Sequence, residues 1–163
     1  MILYGGIKMA DAIFEQLRFT RVYTLKVLGS VSKEAVDVIP AGFNNNILWN
    51  AGHVLGAYEQ LLYANTGDAG KLPKEFVDFF KGGTKPGDWQ AEPPSYEEIV
   101  TLLEQQVEQV IFTYEGRLDE IISKEMKLGS FEIKTVRDMI SFNIFHEGLH
   151  AGLINGLKRS LGQ

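Results

Sequence analysis

The sequence predicts an all-α protein, a four-helix bundle in a single domain (residues 1–163) with a long crossover between the second and third helices. Four segments carry apolar residues at the three- and four-residue spacing of amphipathic helices. Between the second and third of them, residues 67–94 are rich in Gly and Pro and too long for a tight turn. A chain of 163 residues that is 45% hydrophobic and 23% charged suits one globular domain.

The first two helices are expected on either side of a proline break. The first is predicted over residues 8–31, where apolar side chains recur at helical spacing. Pro40 then interrupts the chain, and the asparagines at positions 44–46 are residues that cap helix N-termini well. The second helix is therefore predicted over residues 45–65.

The crossover is expected to contain a short helix before the third long one begins. Residues 73–81 predict this short helix, with Pro73 at its first helical position. The third long helix is predicted from Ser95 to about residue 123. Ser95 and Glu98 have the spacing of a capping box, in which each side chain bonds the backbone amide of the other.

The last helix follows a short extended segment. Residues 127–134 predict an extended turn, and a strand is expected only over residues 131–133. Thr135 and Asp138 give a second capping signal. The last helix is predicted over residues 135–161.

Composition excludes several classes of protein. Without cysteine, the chain has no disulfide, thiolate metal site or Cys nucleophile. A net charge of −5 and no basic run argue against nucleic-acid binding. No apolar run is as long as the roughly 20 residues that a membrane-spanning helix needs. The first 14 residues lack the pattern of a signal peptide. We expect a cytoplasmic protein.

Three histidines carry the main chemical signal. His146, Glu147 and His150 spell H-E-x-x-H, a zinc-binding motif when it lies on a helix. Four-residue spacing places both imidazoles on one face, where they can share an ion. The pair belongs to a stripe predicted to face the core: Met139, Asn143, His146, His150, Leu153 and Leu157.

His53, on the second helix, is the candidate third ligand. Gly52, Gly56 and Ala57 are small and leave space beside it. Three imidazoles from two helices form a site with open coordination positions, which is typical of catalytic rather than structural metal sites. Such a set accepts several divalent transition metals, so the sequence does not identify the ion. The simpler alternative is that each histidine is an ordinary core or surface residue.

A zinc peptidase is another interpretation of H-E-x-x-H. Such enzymes usually take their third ligand from downstream of the motif. The 13 residues after His150 contain no His, Asp or Glu. The third ligand then has to lie upstream, where His53 is the remaining histidine, and the peptidase interpretation is disfavoured.

No catalytic residue is assigned from the sequence. Glu147 lies about 100° around the helix from His146. It is either a nearby base or a solvated or helix-pairing carboxylate, and the second interpretation is favoured. Asn50 and Asn143, one turn before their histidines, are predicted to line the pocket or to hold an outer hydrogen bond.

Two stretches resemble a known family. NILWNAGH ends at His53, and HEGLHAGLIN begins at His146. The chain resembles the DinB/YfiT-like superfamily, in which a stretch with Asn and Trp ends in a small residue and His, and a His-x-x-x-His pair follows on the last helix. The likeness covers essentially the whole chain. It departs from the family at Leu153 and Ile154, near a position where members often carry Gln.

The resemblance implies both a cofactor and an activity. It implies a four-helix bundle that holds one divalent ion, commonly nickel, zinc or iron, on His53, His146 and His150. It also implies a small-molecule substrate, with a metal-dependent transferase or isomerase that uses a low-molecular-weight thiol, or a hydrolase. A non-catalytic metal-binding or interaction bundle is the alternative.

A homodimer is expected for two reasons. The resemblance suggests it, and the first helix carries apolar residues on more than one side, including Phe19, Val22 and Tyr23. A bundle helix normally shows one apolar stripe, so a second one indicates a second partner.

Overall fold

The computed structural model describes residues 11–163, which are mainly helical. Five helices are α1 (Ala12–Leu28), α2 (Ile47–Ala57), α3 (Lys74–Phe80), α4 (Tyr96–Tyr114) and α5 (Val136–Ser160). Helix α2 continues through a π-helical segment, Tyr58–Tyr63, and a last turn, Ala64–Thr66. Residues 1–10, which include the predicted start of the first helix and most of the stretch assessed as a signal peptide, lie outside the described range.

The predicted caps begin three of the helices. The side chains of Asn46 and Ser95 each accept a hydrogen bond from a backbone amide three residues further on. Thr135 and Asp138 form a complete capping box, with the two reciprocal bonds at 3.1 and 3.0 Å. Pro73 is the N-cap of α3 rather than its first helical residue.

A β-hairpin before α5 corrects the all-α prediction. Strand β1 (Ile121–Leu128) pairs with β2 (Phe131–Thr135) in an antiparallel sheet. Met126 lies opposite Ile133, and the register shifts between Met126 and Ile121. The extended region is thus longer than the predicted residues 131–133.

Helix α4 ends nine residues before the predicted position. It stops at Tyr114, and Gly116 has a φ angle of 82°. Glycine adopts this left-handed conformation without strain, and it commonly ends helices there. The following residues are therefore free to form β1.

The long helices pack around two apolar clusters. Helices α1 and α2 each contact both α4 and α5, and α3 lies on α2. One cluster, the hairpin cluster, includes Leu17, Ile133 and Ile140. The other, the distal cluster, includes Leu28 and Ile154.

A buried polar layer lies between the two clusters along the helices. It contains Arg21 of α1, Gln106 of α4 and Glu147 of α5, each at most 3% exposed. None of the helices within residues 11–163 combines the length and hydrophobicity that a membrane span requires.

Candidate metal centre

Three histidines converge between α2 and α5. One ring nitrogen each from His53, His146 and His150 lies within 4.8 Å of the others. The Nε2 atoms of His53 and His146 are 3.2 Å apart. Two nitrogens bound to one ion at about 2.0–2.1 Å are separated by about 2.8–3.4 Å at bond angles of about 90–110°. The spacing of this pair fits two donors to one ion.

The histidines lie at the edge of the buried face of α5. Met139, Asn143 and Leu157 are buried as predicted, but His146 and His150 are half-buried. The prediction is wrong for Leu153, which is 39% exposed. The centre of the buried face is instead marked by Glu147, Ala151 and Ile154. This rotation turns the two imidazoles towards α2, where His53 lies.

Hydrogen bonds at Nδ1 orient two of the rings. Nδ1 of His53 donates to the carbonyl oxygen of Phe80 at 2.6 Å. Nδ1 of His150 donates to Oδ1 of Asn50 at 2.8 Å, while the amide nitrogen of Asn50 donates to the carbonyl of Asn46. These bonds assign the proton of each ring to Nδ1 and leave its Nε2 lone pair available to a metal. Asn50 thus joins His150 to the start of α2.

The carbonyl of Phe80 reaches His53 because α3 lies very close to α2. The contact occurs at Gly52, where a Cβ atom would be only 2.5–2.7 Å from three atoms of the Phe80 ring. Real side chains do not approach so closely, so glycine is required here. Gly52 therefore permits the close approach of α3 that gives His53 its hydrogen-bond partner, the Phe80 carbonyl.

Aromatic rings enclose the histidines. Trp49 stacks on His53 with centroids 4.6 Å apart and an interplanar angle of 10°. Its Nε1 donates to Oγ1 of Thr84 at 3.0 Å, which ties the segment after α3 to the site. The Phe142 ring is 6.0 Å from His146. His53 and His146 therefore each have an aromatic ring beside them.

This environment keeps the imidazoles neutral. Burial lowers the pKa of His53 below its ordinary value. Burial, followed by the electrostatic interaction with His53, lowers the pKa of His146 to about 4. Burial, with His53 and His146, lowers the pKa of His150 to about 3. All three rings are uncharged at neutral pH, which is the form that binds metals.

The family model of the DinB superfamily matches residues 16–154, which contain all three histidines. The chain belongs to the DinB superfamily. Among curated proteins, none matches it significantly. The donor set of this DinB-superfamily chain, three neutral imidazoles, suits zinc, nickel or iron.

The favoured interpretation of Glu147 in this DinB-superfamily chain was a solvated or helix-pairing carboxylate, and the side chain is not solvated. It is 1% exposed. Its Oε1 accepts from Nε of Arg21 at 2.8 Å, and its Oε2 accepts from Nη2 of Arg21 at 3.0 Å and from the Tyr58 hydroxyl at 3.1 Å. The carboxylate therefore pairs with α1, and both of its oxygens already hold hydrogen bonds.

Arg21 was not identified as a candidate from the sequence. Its Nη1 donates to the carbonyl of Leu103 at 2.6 Å and its Nη2 to Oε1 of Gln106 at 3.1 Å. Burial acts to lower the pKa of Arg21, but the charge of Glu147 outweighs it and the pKa lies above its ordinary value. The available signal was a lone charge at the helical spacing of the apolar residues Leu17 and Leu28 on α1.

Asn143 lies in the core below the histidines of the DinB-superfamily site. It is 1% exposed, and its amide nitrogen donates to the carbonyl of Met139 at 2.9 Å. Within residues 11–163, its Oδ1 has no hydrogen-bond partner. Asn143 is thus held by its own helix and is not hydrogen-bonded to a histidine in the manner of Asn50.

Proposed function

We propose that the protein is a divalent-metal-dependent enzyme for small molecules, either a transferase that uses a small thiol or a hydrolase. The four long helices would form the bundle that carries the site. The observation that supports this proposal is the convergence of neutral His53, His146 and His150 from two helices. A set of three protein ligands leaves coordination positions open for an exogenous molecule.

A divalent cation in such a site lowers the pKa of a bound water or thiol and supplies a nucleophile at neutral pH. The residues of the chain orient the ligands and shape access to them. The Phe80 carbonyl and Asn50 hold two of the rings. Trp49 and Phe142 place aromatic surface beside His53 and His146, which suits the apolar part of a small substrate.

Glu147 argues against a zinc peptidase. In H-E-x-x-H peptidases the glutamate acts as the general base at the metal. Here its two oxygens accept hydrogen bonds from Arg21 and Tyr58 in the core. A base has to be free to take a proton from the reacting water, and this carboxylate is not.

Metal content and activity test the proposal together. Protein purified without a histidine tag is expected to contain one zinc, nickel or iron ion per chain by elemental analysis. The metal-replete protein should then conjugate a small electrophile with a low-molecular-weight thiol, or hydrolyse a small ester. His53→Ala should lose both the metal and the activity. Phe112→Ser, on an exposed position of α4, should keep both.

Two other outcomes have distinct meanings. A full complement of metal without turnover of either small substrate would favour the non-catalytic metal-binding bundle. Metal-dependent cleavage of casein that His53→Ala abolishes would show that the protein is a peptidase.

We also propose that the protein forms a homodimer through an apolar face on α1 and α5. Phe19, Val22 and Tyr23 of α1 are 73%, 65% and 46% exposed, and Phe145 and Leu149 of α5 are exposed as well. The two helices are neighbours. Together their side chains form a surface that a second copy of the chain can bury.

Light scattering checks the dimer. We expect a mass of about twice 18.2 kDa at micromolar concentration. Phe19→Glu should shift the protein to monomer, because burying an unpaired charge in an apolar interface is unfavourable. Phe112→Glu, which changes the 88% exposed Phe on α4, should leave the mass unchanged. A parent protein that is monomeric under these conditions contradicts the proposal.

A further inference from the structure

We propose that Arg21 is a positioning residue for the metal ligands: through Glu147 it fixes the rotation of α5 that directs His146 and His150 towards His53. This inference rests on the proposed metal-binding function. Arg21 itself lies on α1, which supplies none of the three histidines. Its effect on the site is therefore transmitted through α5.

The connection between Arg21 and the ligands is short. Glu147 directly follows His146 on α5. Arg21 donates two hydrogen bonds, of 2.8 and 3.0 Å, to the Glu147 carboxylate. A bidentate pair of this kind fixes orientation as well as distance. Tyr58, which follows His53 along the same continuous helical segment, donates to the same carboxylate at 3.1 Å. One carboxylate thus joins α5 to both α1 and the extension of α2.

Arg21 is itself held rigidly. Its guanidinium donates to the carbonyl of Leu103 and to the side chain of Gln106 on α4. Gln106 in turn donates to the carbonyl of Leu55 on α2 at 2.9 Å. The guanidinium therefore has a fixed position relative to α1, α2 and α4. Through its bonds to Glu147 it fixes the orientation of α5 relative to those helices.

The precision that metal coordination requires favours a positioning role for Arg21. Side-chain ends lie about 5–6 Å from a helix axis, so a rotation of about 10° moves a ring nitrogen by about 1 Å. Metal–ligand distances are met within about 0.2 Å. An apolar stripe alone tolerates small rotations because its contacts are not directional. A buried bidentate ion pair does not tolerate such rotations, because both of its hydrogen bonds are directional.

Stability alone does not account for the pair. Replacing a buried ion pair by apolar residues of similar volume is often neutral or stabilising. Arg21 and Glu147 nevertheless lie between two apolar clusters, where apolar side chains would join those clusters directly. Angular control of a neighbouring ligand is a role that such replacements cannot fill.

The chain offers a matched control pair. Arg18, one turn before Arg21 on α1, makes a bidentate ion pair with Glu108 at 2.7 and 2.9 Å. This pair is 36% and 62% exposed at its two side chains and joins α1 to α4, not to α5. It has the same chemistry and nearly the same place along α1, without a connection to the ligands.

The test compares two double variants of the full-length protein, Arg21→Met with Glu147→Met and Arg18→Met with Glu108→Met. The readouts are the melting temperature without metal, the visible spectrum of the Co²⁺-loaded protein, and the Kd for Co²⁺ by competition with a chelator. We expect the first double variant to fold, to bind Co²⁺ about 10–100-fold more weakly and to show a changed spectrum, as when outer partners of a ligand are lost. The control should stay within about twofold of the parent.

A Co²⁺ affinity in the folded first variant that equals the parent's would overturn the inference and leave the proposed metal binding intact. A parent protein that binds no Co²⁺ would refute the metal-binding function itself. Tyr58→Phe provides a milder variant if the double replacement prevents folding, because it removes one donor to Glu147 and leaves the ion pair. It should weaken Co²⁺ binding in the same direction, and an unchanged Kd in that variant would also count against the inference.

Discussion

His150→Ala is expected to weaken zinc binding by about a hundredfold or more. Loss of an outer hydrogen-bond partner already reduces metal affinity by about 10–100-fold, and loss of a ligand is more severe. His150 supplies one of the three imidazoles and links the site to Asn50. Competition with a chromophoric chelator measures the affinity directly. Ser141→Ala, at an exposed position on the same helix, is the matched control and should bind zinc as the parent does.

The same variant is expected to lose the stabilisation that metal confers. An ion that binds only the folded chain adds about 2.7 kcal/mol to the free energy of unfolding at 100 times its Kd. For a chain of this length that corresponds to a rise in Tm of roughly 5–11 °C. Differential scanning calorimetry with and without zinc should show this rise for the parent and for Ser141→Ala, but not for His150→Ala. A parent Tm that does not respond to zinc or to a chelator contradicts the prediction.

Gly52→Ala is expected to destabilise the protein without metal by about 1–3 kcal/mol. Its new Cβ would meet the Phe80 ring at 2.5–2.7 Å, so α3 has to move, and overpacking of this kind has about that effect. Gly56→Ala is the matched control on the same helix. There the nearest atom is Nε2 of Gln60 at 3.7 Å, and alanine favours the helix by up to about 1 kcal/mol. Urea unfolding of the metal-free proteins measures both changes.

The Gly52 variant should also bind metal more weakly. A displaced Phe80 takes its carbonyl away from Nδ1 of His53, and the ring loses the hydrogen bond that orients it. Gly56→Ala should keep the parent affinity. Equal stability of the two variants would show that α3 accommodates the extra methyl group, and that the close contact does not control the site.

The sequence predicts the helical part of the fold well because its signals are local. The caps at Asn46, Ser95 and Thr135 are read from neighbouring residues, and the structure contains them. Only part of the hairpin was predicted, namely the turn and residues 131–133, although signals for the rest were present. Gly116 ends α4, and Gly129-Ser130 is a pair typical of two-residue hairpin turns. Apolar residues recur at helical spacing on both sides of Gly116, and this pattern predicted a longer α4 in spite of the glycine.

The candidate site could be predicted only in part. The histidines were identified because the chain has three of them and two are four residues apart. The rotation of α5 could not be derived, since helical spacing allows two neighbouring stripes, one through His146 and one through Glu147. Packing against α1 chooses the second. The partner of Glu147 lies 126 residues earlier, and no local pattern links the two.

The place of α5 in the chain sets the order in which the protein can be completed during translation. His53 and His146 are 93 residues apart, which corresponds to about 5–20 s of synthesis. Until α5 leaves the ribosome, His53 lacks the two other imidazoles and Arg21 lacks its carboxylate. A nascent chain without α5 can neither assemble the three imidazoles nor neutralise the buried charge of Arg21. Helix α5 therefore closes the core and completes the cluster of three histidines in a single event.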